Sequence, residues 1–330
     1  MLRFGVIGTN WITDRFIAAA RESKDFALTA VYSRTEEQAS QYAEKHQIAH
    51  RYTDLEQFAA STEFDAVYLA SPNSLHADHA VLCMDNGKHV LCEKPIASNK
   101  AELDRMIDAA KRNGVALMEA LVPTMLPAFG AIKDNLHKLG RIRRYAASYC
   151  QYSSRYDAYK EGQLLNAFNP IYSNGAMMDL GIYCIYPLVA LLGAPERVQA
   201  SAVMLDSGVD GEGSLLLAYP GCDAVIHYSK ITTSYAMTEI QGEQATMIID
   251  KINTPEHVEI RYRDGTVENL TRPLDHSFMF YEVQHFIEMI ERKETQSATN
   301  SWHNSRNTLG IMDEARRQIG LVYPADLKHA

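Results

Sequence analysis

Tryptophan is nearly absent from this sequence and cysteine is sparse: the 330 residues hold two of the first and five of the second. The cysteines, Cys83, Cys92, Cys150, Cys184 and Cys222, are odd in number and show no C-x-x-C spacing. Most lie in apolar runs, where a thiol acts as a small hydrophobe. That argues against a disulfide framework and for a reduced, cytoplasmic setting. Strong positive charge is also missing. The formal charge is −9, and the one basic cluster, Arg141, Arg143 and Arg144, is short enough to be an ordinary solvated turn. Nucleic acid is not expected as a partner.

Long apolar runs are lacking too. The most apolar stretch, Leu180 to Ala194, contains Pro187 and follows Asp179. It falls short of the ~20 residues a spanning helix needs, so a buried helix is expected and no membrane. The N-terminus enters a strand directly, without the charged leader of a signal peptide. His76 and His79 stand three apart with no further ligand cluster, so no metal is expected.

What is present is an ordinary globular composition, 46% hydrophobic and 22% charged. The length favours two domains. Over roughly the first 120 residues, apolar runs such as "RFGVIG", "ALTAVYS", "DAVYLAS" and "KHVLCEK" alternate with helical patterns, which predicts βαβ crossovers and a doubly wound parallel sheet. From about Arg141 the pattern becomes long β-rich segments, with hairpin signals at Pro220-Gly221 and Asp264-Gly265. Helices are expected over Gly175–Leu192, Phe278–Arg292 and Ser305–Gly320. The fold class is therefore α/β: a doubly wound domain over 1–120 and an α+β domain over 121–330 with a large open, mostly antiparallel sheet, its C-terminal helix able to pack back on the first domain.

The turn "GVIGTNWIT" nearly spells G-x-G-x-x-G, but Asn10 replaces the second glycine and Thr13 the third. It follows the first strand and opens a helix, the placement in which orphan N–H groups and the helix dipole meet a pyrophosphate. Gly8, Thr9, Asn10, Trp11 and Ile12 are the residues expected there. Asparagine tolerates positive φ, so Asn10 is expected to hold the turn in that conformation. At the end of the second strand, where an acid would select NAD, the chain has Ser33 and Arg34, which suit the 2′-phosphate of NADP. NADP is expected ahead of NAD.

Two further stretches, "ASPNSLHADHAVLCMDNGKHVLCEKPIA" and "NGAMMDLGIYCIYP", resemble the Gfo/Idh/MocA oxidoreductases, and with "LMEA" and "IGLVYPAD" are most similar to their dimeric dihydrodiol dehydrogenase and D-xylose dehydrogenase branch. The resemblance implies a Rossmann domain, a bound nicotinamide cofactor, hydride transfer on a hydroxyl or carbonyl of a small sugar, polyol or cyclic diol, and homodimers or larger assemblies through the C-terminal sheet. It places Glu93, Lys94, Ser71, Pro72, Asn73 and His76 near the cofactor, with Lys94 toward the reacting oxygen. Capping of a helix by Asn73 and Ser74 is the alternative from spacing alone.

Catalysis is assigned by the same resemblance to Lys94, Asp179 and Tyr183. Tyr183 is the candidate general acid/base, Lys94 the group that orients the substrate oxygen and lowers the phenol's pKa, and Asp179 a substrate anchor or partner of Lys94. Either Lys94 or Tyr183 could carry the proton. The stretch "LVPTMLP" lacks the aromatic and arginine usual in that branch, which weakens the case for an aromatic dihydrodiol. Tyr152, Arg155 and Tyr156 are candidate replacement contacts, against the alternative of strand packing. Two other functions stay open: a lyase or glycosidase that uses NAD transiently, and a non-catalytic NADP-binding regulator.

Overall fold

Short apolar segments separated by amphipathic ones build the first of two sheets. The structure, a computed structural model, describes residues 1–328. The chain divides into two compact units, Met1–Leu121 with Asp275–Trp302, and Val122–Leu274 with the residues from His303 onward.

In the first unit the order is β1 (Leu2–Ile7), α1 (Trp11–Ala20), β2 (Phe26–Tyr32), α2 (Glu36–His46), β3 (His50–Tyr52), α3 (Leu55–Ala60), β4 (Ala66–Leu69), α4 (His76–Asp85), β5 (His89–Glu93), α5 (Lys100–Asn113) and β6 (Leu117–Ala120). The six strands lie in the order β3-β2-β1-β4-β5-β6, and every neighbouring pair is parallel. β4 and β6 are buried along their whole length, as in a sheet covered on both faces. Side-chain oxygens of Thr35, Asp54 and Asn99 cap α2, α3 and α5 by accepting orphan amides of their first turns. Strand order reverses between β1 and β4, which opens a crevice at their C-terminal ends.

The second domain, expected over 121–330 with its C-terminal helix able to pack back on the first, is interrupted by the helix Phe278–Glu291. That helix belongs to the first unit, where Phe286 meets Phe4 with ring centroids 6.2 Å apart and Ser23 donates to Gln284 at 2.8 Å. It completes the aromatic cluster of Phe4, Phe16 and Phe26.

The second unit contains α6 (Pro127–Asn135), β7 (Ile142–Cys150), α7 (Tyr156–Lys160), α8 (Ile182–Leu192), β8 (Arg197–Met204), β9 (Asp210–Tyr219), β10 (Cys222–Ser229), β11 (Thr238–Gly242), β12 (Ala245–Ile249), β13 (Val258–Tyr262) and β14 (Val267–Asn269), and most of the helix Trp302–Ile319. Its eight strands run β14-β13-β12-β11-β7-β10-β9-β8, with β7 and β10 the single parallel pair. Pro220-Gly221 is the β9–β10 turn. One sheet face is buried through Tyr145, Ala147, Leu215, Leu217, Ala224 and Ile226, and Tyr145 donates to the Cys184 carbonyl of α8 at 3.1 Å. Residues between them, such as Leu216 and His227, are exposed.

The helix expected over Gly175–Leu192 is not uniform: a π-helical turn, Met177–Gly181, leads into α8. Pro170–Leu192 is long and apolar enough to cross a bilayer by composition, yet 72% of its apolar window is buried inside the fold.

Candidate functional site

The chain leaves β1 through Gly8 at φ +103°, and a Cβ there would stand 2.5 Å from the Ala70 carbonyl oxygen at the end of β4. Only glycine fits so close an approach at positive φ. Asn10 does not adopt the positive φ expected of it. At φ −108° it is the N-cap of α1, accepting from the amides of Ile12 at 3.0 Å and Thr13 at 3.4 Å, while its Nδ2 donates to the Ala70 carbonyl at 3.0 Å. A capping side chain thus ties the turn to β4, where a glycine would leave it free. Thr9 is half-buried, Ile12 likewise, and Trp11 is exposed with Arg15 lying 5.1 Å over its ring.

Across from Gly8, the buried Ser71 hydroxyl oxygen has no hydrogen-bond partner. A glycine turn at a helix N-terminus, in the crevice between β1 and β4, suits a dinucleotide phosphate. At the end of β2 Ser33 is buried and donates to Gln38 at 3.2 Å, whereas Arg34 is exposed just before the Thr35 cap of α2. The nearest acid, Glu36, is paired with Arg51 at 2.8 Å.

Beyond β4, His76 is 1% exposed and sits between two carbonyls, Nδ1 2.9 Å from Pro95 and Nε2 2.8 Å from Ser71. Burial brings its pKa down to about 4, so the ring is neutral at pH 7 and can donate to only one of the two. His76 therefore links the Ser71–Pro72 segment to the Glu93–Lys94–Pro95 turn. Neither Asn73 nor Ser74 is the N-cap of a helix: Pro72 and Leu75 hold those places, and neither carries a side-chain cap.

Glu93 and Lys94 are partly exposed between buried neighbours at the C-terminal end of β5. Tyr68 donates its hydroxyl to Glu93, the Lys94 amide donates to the same carboxylate at 3.2 Å, and the Lys94–Pro95 peptide is cis. The 2%-exposed Glu119 of the "LMEA" strand accepts from the Ile96 amide at 3.0 Å, fixing the far side of the turn. Glu282 is fully buried, and burial first, then the charge of Glu93, pushes its carboxyl well above the usual range.

In the second unit the candidate site residues Asp179 and Tyr183 stand on the stretch that enters α8. From Gly175 to Val189 every residue is buried except Asp179 and Tyr183. The π-helical turn carries Asp179, and such single widened turns recur at functional sites. Asp210, fully buried, accepts from the Ala176 amide at 3.1 Å and the Met177 amide at 2.7 Å. Burial holds its carboxyl up at about 6 against those donors and the Lys230 charge. Lys230, 3% exposed, places Nζ 2.7 Å from Asp179 Oδ2 and 3.1 Å from the Ala167 carbonyl. The Tyr183 ring is met edge-on by Tyr149 of β7, centroids 5.5 Å apart.

Tyr152 and Arg155 lie in an exposed cluster around α7. Tyr152 donates to Asp157 at 2.7 Å, and Lys160 pairs with Asp157 and lies over the rings of Tyr152 and Tyr156. Arg155 is exposed at the N-cap of α7. Sequence reasoning missed Glu119, Asp210 and Lys230, whose one visible signal was a charged side chain inside or at the end of an apolar strand. Among the described residues no three His, Cys, Asp or Glu side chains group to hold a metal ion.

Residues 2–121 match the oxidoreductase family with an NAD-binding Rossmann fold, GFO/IDH/MocA, and residues 135–248 match its C-terminal domain. The chain is 57% identical to scyllo-inositol 2-dehydrogenase (NADP(+)) IolU of Bacillus subtilis over 99% of both chains. It is 28% identical to the mouse trans-1,2-dihydrobenzene-1,2-diol dehydrogenase over 98% of this chain and 99% of that one. In fold it resembles the 3-ketoreductase KijD10 of Actinomadura kijaniata in complex with NADP and TDP-benzene, with TM-score 0.83 and 23% identity over 96% of this chain and 98% of that one. The chain belongs to the GFO/IDH/MocA oxidoreductase family and is an NAD(P)-dependent oxidoreductase acting on CH–OH groups.

Proposed function

We propose that this protein interconverts scyllo-inositol and its 2-keto derivative with NADP. The observation that carries the reading is 57% identity, over 99% of both chains, to a scyllo-inositol 2-dehydrogenase that uses NADP(+). Arg34, exposed at the end of β2 where Glu36 is paired with Arg51, supports the 2′-phosphorylated cofactor.

The nicotinamide, when bound, takes up or returns the hydride. Gly8, Asn10 and the first turn of α1 hold the pyrophosphate, and Ser71 and Pro72 line the nicotinamide side. Tyr183 exchanges the proton of the reacting hydroxyl, Lys94 orients that oxygen and favours the phenolate, and Asp179 accepts a hydrogen bond from a neighbouring hydroxyl of the ring. A free phenol titrates near ~10, so a base at neutral pH needs such a cation. Support for these roles comes from the E-K-P and D-x-x-x-Y patterns and from the selective exposure of Asp179 and Tyr183 on an otherwise buried stretch.

Nicotinamide absorbance across scyllo-inositol, myo-inositol, aldoses and cyclic trans-diols, with NADP+ and NAD+, tests the substrate. Scyllo-inositol with NADP+ is expected to give the highest kcat/KM; an aldose or diol that exceeds it would overturn the assignment. Tyr183→Phe and Lys94→Met should each lower kcat by ~10²–10⁴. Near-full turnover in Tyr183→Phe with loss in Lys94→Met would move the proton to Lys94.

Association of two copies through the open face of the eight-stranded sheet and a cytoplasmic location belong to the same proposal. The exposed Leu216 and Val203 on β9 and β8 support the first, and five free cysteines the second. Light scattering should give a mass of at least two chains.

A further inference from the structure

The ammonium of Lys230 is buried within hydrogen-bond distance of a carboxylate that reaches the surface. Its residue follows β10 directly, and its backbone is fixed on both sides: the amide donates to the Gly211 carbonyl at 2.9 Å and its carbonyl accepts from Ser153 at 2.8 Å. The side chain is 3% exposed, with Nζ bonded to Asp179 Oδ2 and the Ala167 carbonyl and lying 5.1 Å from the centroid of the Phe168 ring. A lysine is almost never buried this far without a charge partner. The Asp179 side chain, by contrast, is 38% exposed. The charge-assisted bond therefore holds one oxygen of a partly exposed side chain from a buried ammonium.

We propose that Lys230 is a positioning residue for the oxidoreductase reaction: it fixes the rotamer of Asp179 so that the carboxylate meets the polyol as a hydrogen-bond acceptor in a single orientation. The inference rests on the reading of Asp179 as a substrate contact. Because the lysine is anchored by its own strand, Asp179 does not have to be ordered by the substrate, and the cost of ordering it does not fall on binding.

A double-mutant cycle tests this. Lys230→Gln keeps a donor for the Ala167 carbonyl and removes the charge; Asp179→Asn removes the carboxylate charge and turns one of its two acceptor oxygens into a donor. On the best polyol of the wild-type panel, Lys230→Gln should lower kcat/KM by about tenfold or more, chiefly through KM, and change NADP+ binding by less than about twofold. In the Asp179→Asn background the same change should cost less than about twofold. Equal losses in both backgrounds, or no loss in the wild-type background, would overturn the proposal. Full activity in Asp179→Asn alone would instead sink the reading of Asp179, and the role of Lys230 with it. Should Lys230→Gln fail to fold, Lys230→Arg carries the test: its guanidinium should raise the polyol KM in the wild-type background and not in Asp179→Asn, and equal effects in both would count against the idea.

Discussion

Asp210 fills the space that a side chain on Gly175 would need, since a Cβ built there would overlap Oδ1 of the carboxylate. The same carboxylate accepts from the next two amides, Ala176 and Met177. The start of the segment bearing Asp179 and Tyr183 is thereby set by a glycine at φ +152° and a buried acid. Tyr323 adds a second hold, donating to the Asn174 carbonyl at 2.9 Å, and Arg316 lies 4.7 Å over the Tyr323 ring while pairing with Asp326 at 2.7 Å. The closing "VYPAD" stretch thus serves the site from a distance in sequence.

Gly175→Ala should cost about 2 kcal/mol or more of unfolding free energy, because both the backbone conformation and the space are denied to a methyl group. Urea denaturation measures it, and kcat should fall with it. An unchanged midpoint would show that the helix start tolerates the shift.

Gly8→Ala should raise the dissociation constant of NADPH by about tenfold or more, as the added methyl presses on the Ala70 carbonyl in the phosphate crevice. Fluorescence titration of the reduced cofactor reads this directly. Wild-type affinity would mean that the phosphates lie elsewhere.

Arg34→Ala should raise the KM for NADP+ by about tenfold, the size of one hydrogen bond to a charged group, and change that for NAD+ by less than about twofold. Equal effects on both cofactors would remove Arg34 from 2′-phosphate recognition.

His76 makes stability pH-dependent. Its pKa is about 4 in the fold against 6.5 for an ordinary histidine, so on acidification the unfolded chain binds a proton before the folded one does. The contribution is fully present above about pH 6.5 and is lost as pH falls toward 4, by up to about 3 kcal/mol. Asp210 works with the opposite sign: its carboxyl is raised to about 6, and its contribution is lost as pH rises through that value. The two partly cancel between pH 4 and 6, so the prediction is a difference. The melting temperature of wild type minus that of His76→Gln should narrow steadily from about pH 7 to about pH 4.5. A constant gap would show that His76 is not held neutral.

The parallel sheet was legible because each strand carries its own apolar run and each crossover its own amphipathic helix. The proposed roles of Lys94, Asp179 and Tyr183 come from motifs that resemble the family's, not from composition or periodicity. Asn10 was misread for a physical reason: asparagine favours both left-handed backbone and N-caps, and only the position of the Ala70 carbonyl decides between them. The helix Phe278–Glu291 was legible as a helix, but its apolar stripe does not say which core it covers. Lys230 reads in sequence as a solvated lysine after a strand, because the carboxylate that keeps it buried comes from a distant turn.

The return of Phe278–Glu291 to the first unit has a consequence for synthesis. A ribosome that has released residues 1–121 has not yet made the helix that seals Phe4, and the second unit likewise waits for Tyr323. Each half is closed by segments from the far end of the chain, so a nascent chain stopped before that point exposes two unfinished cores, and neither half can be excised as a contiguous fragment with its aromatic interior covered.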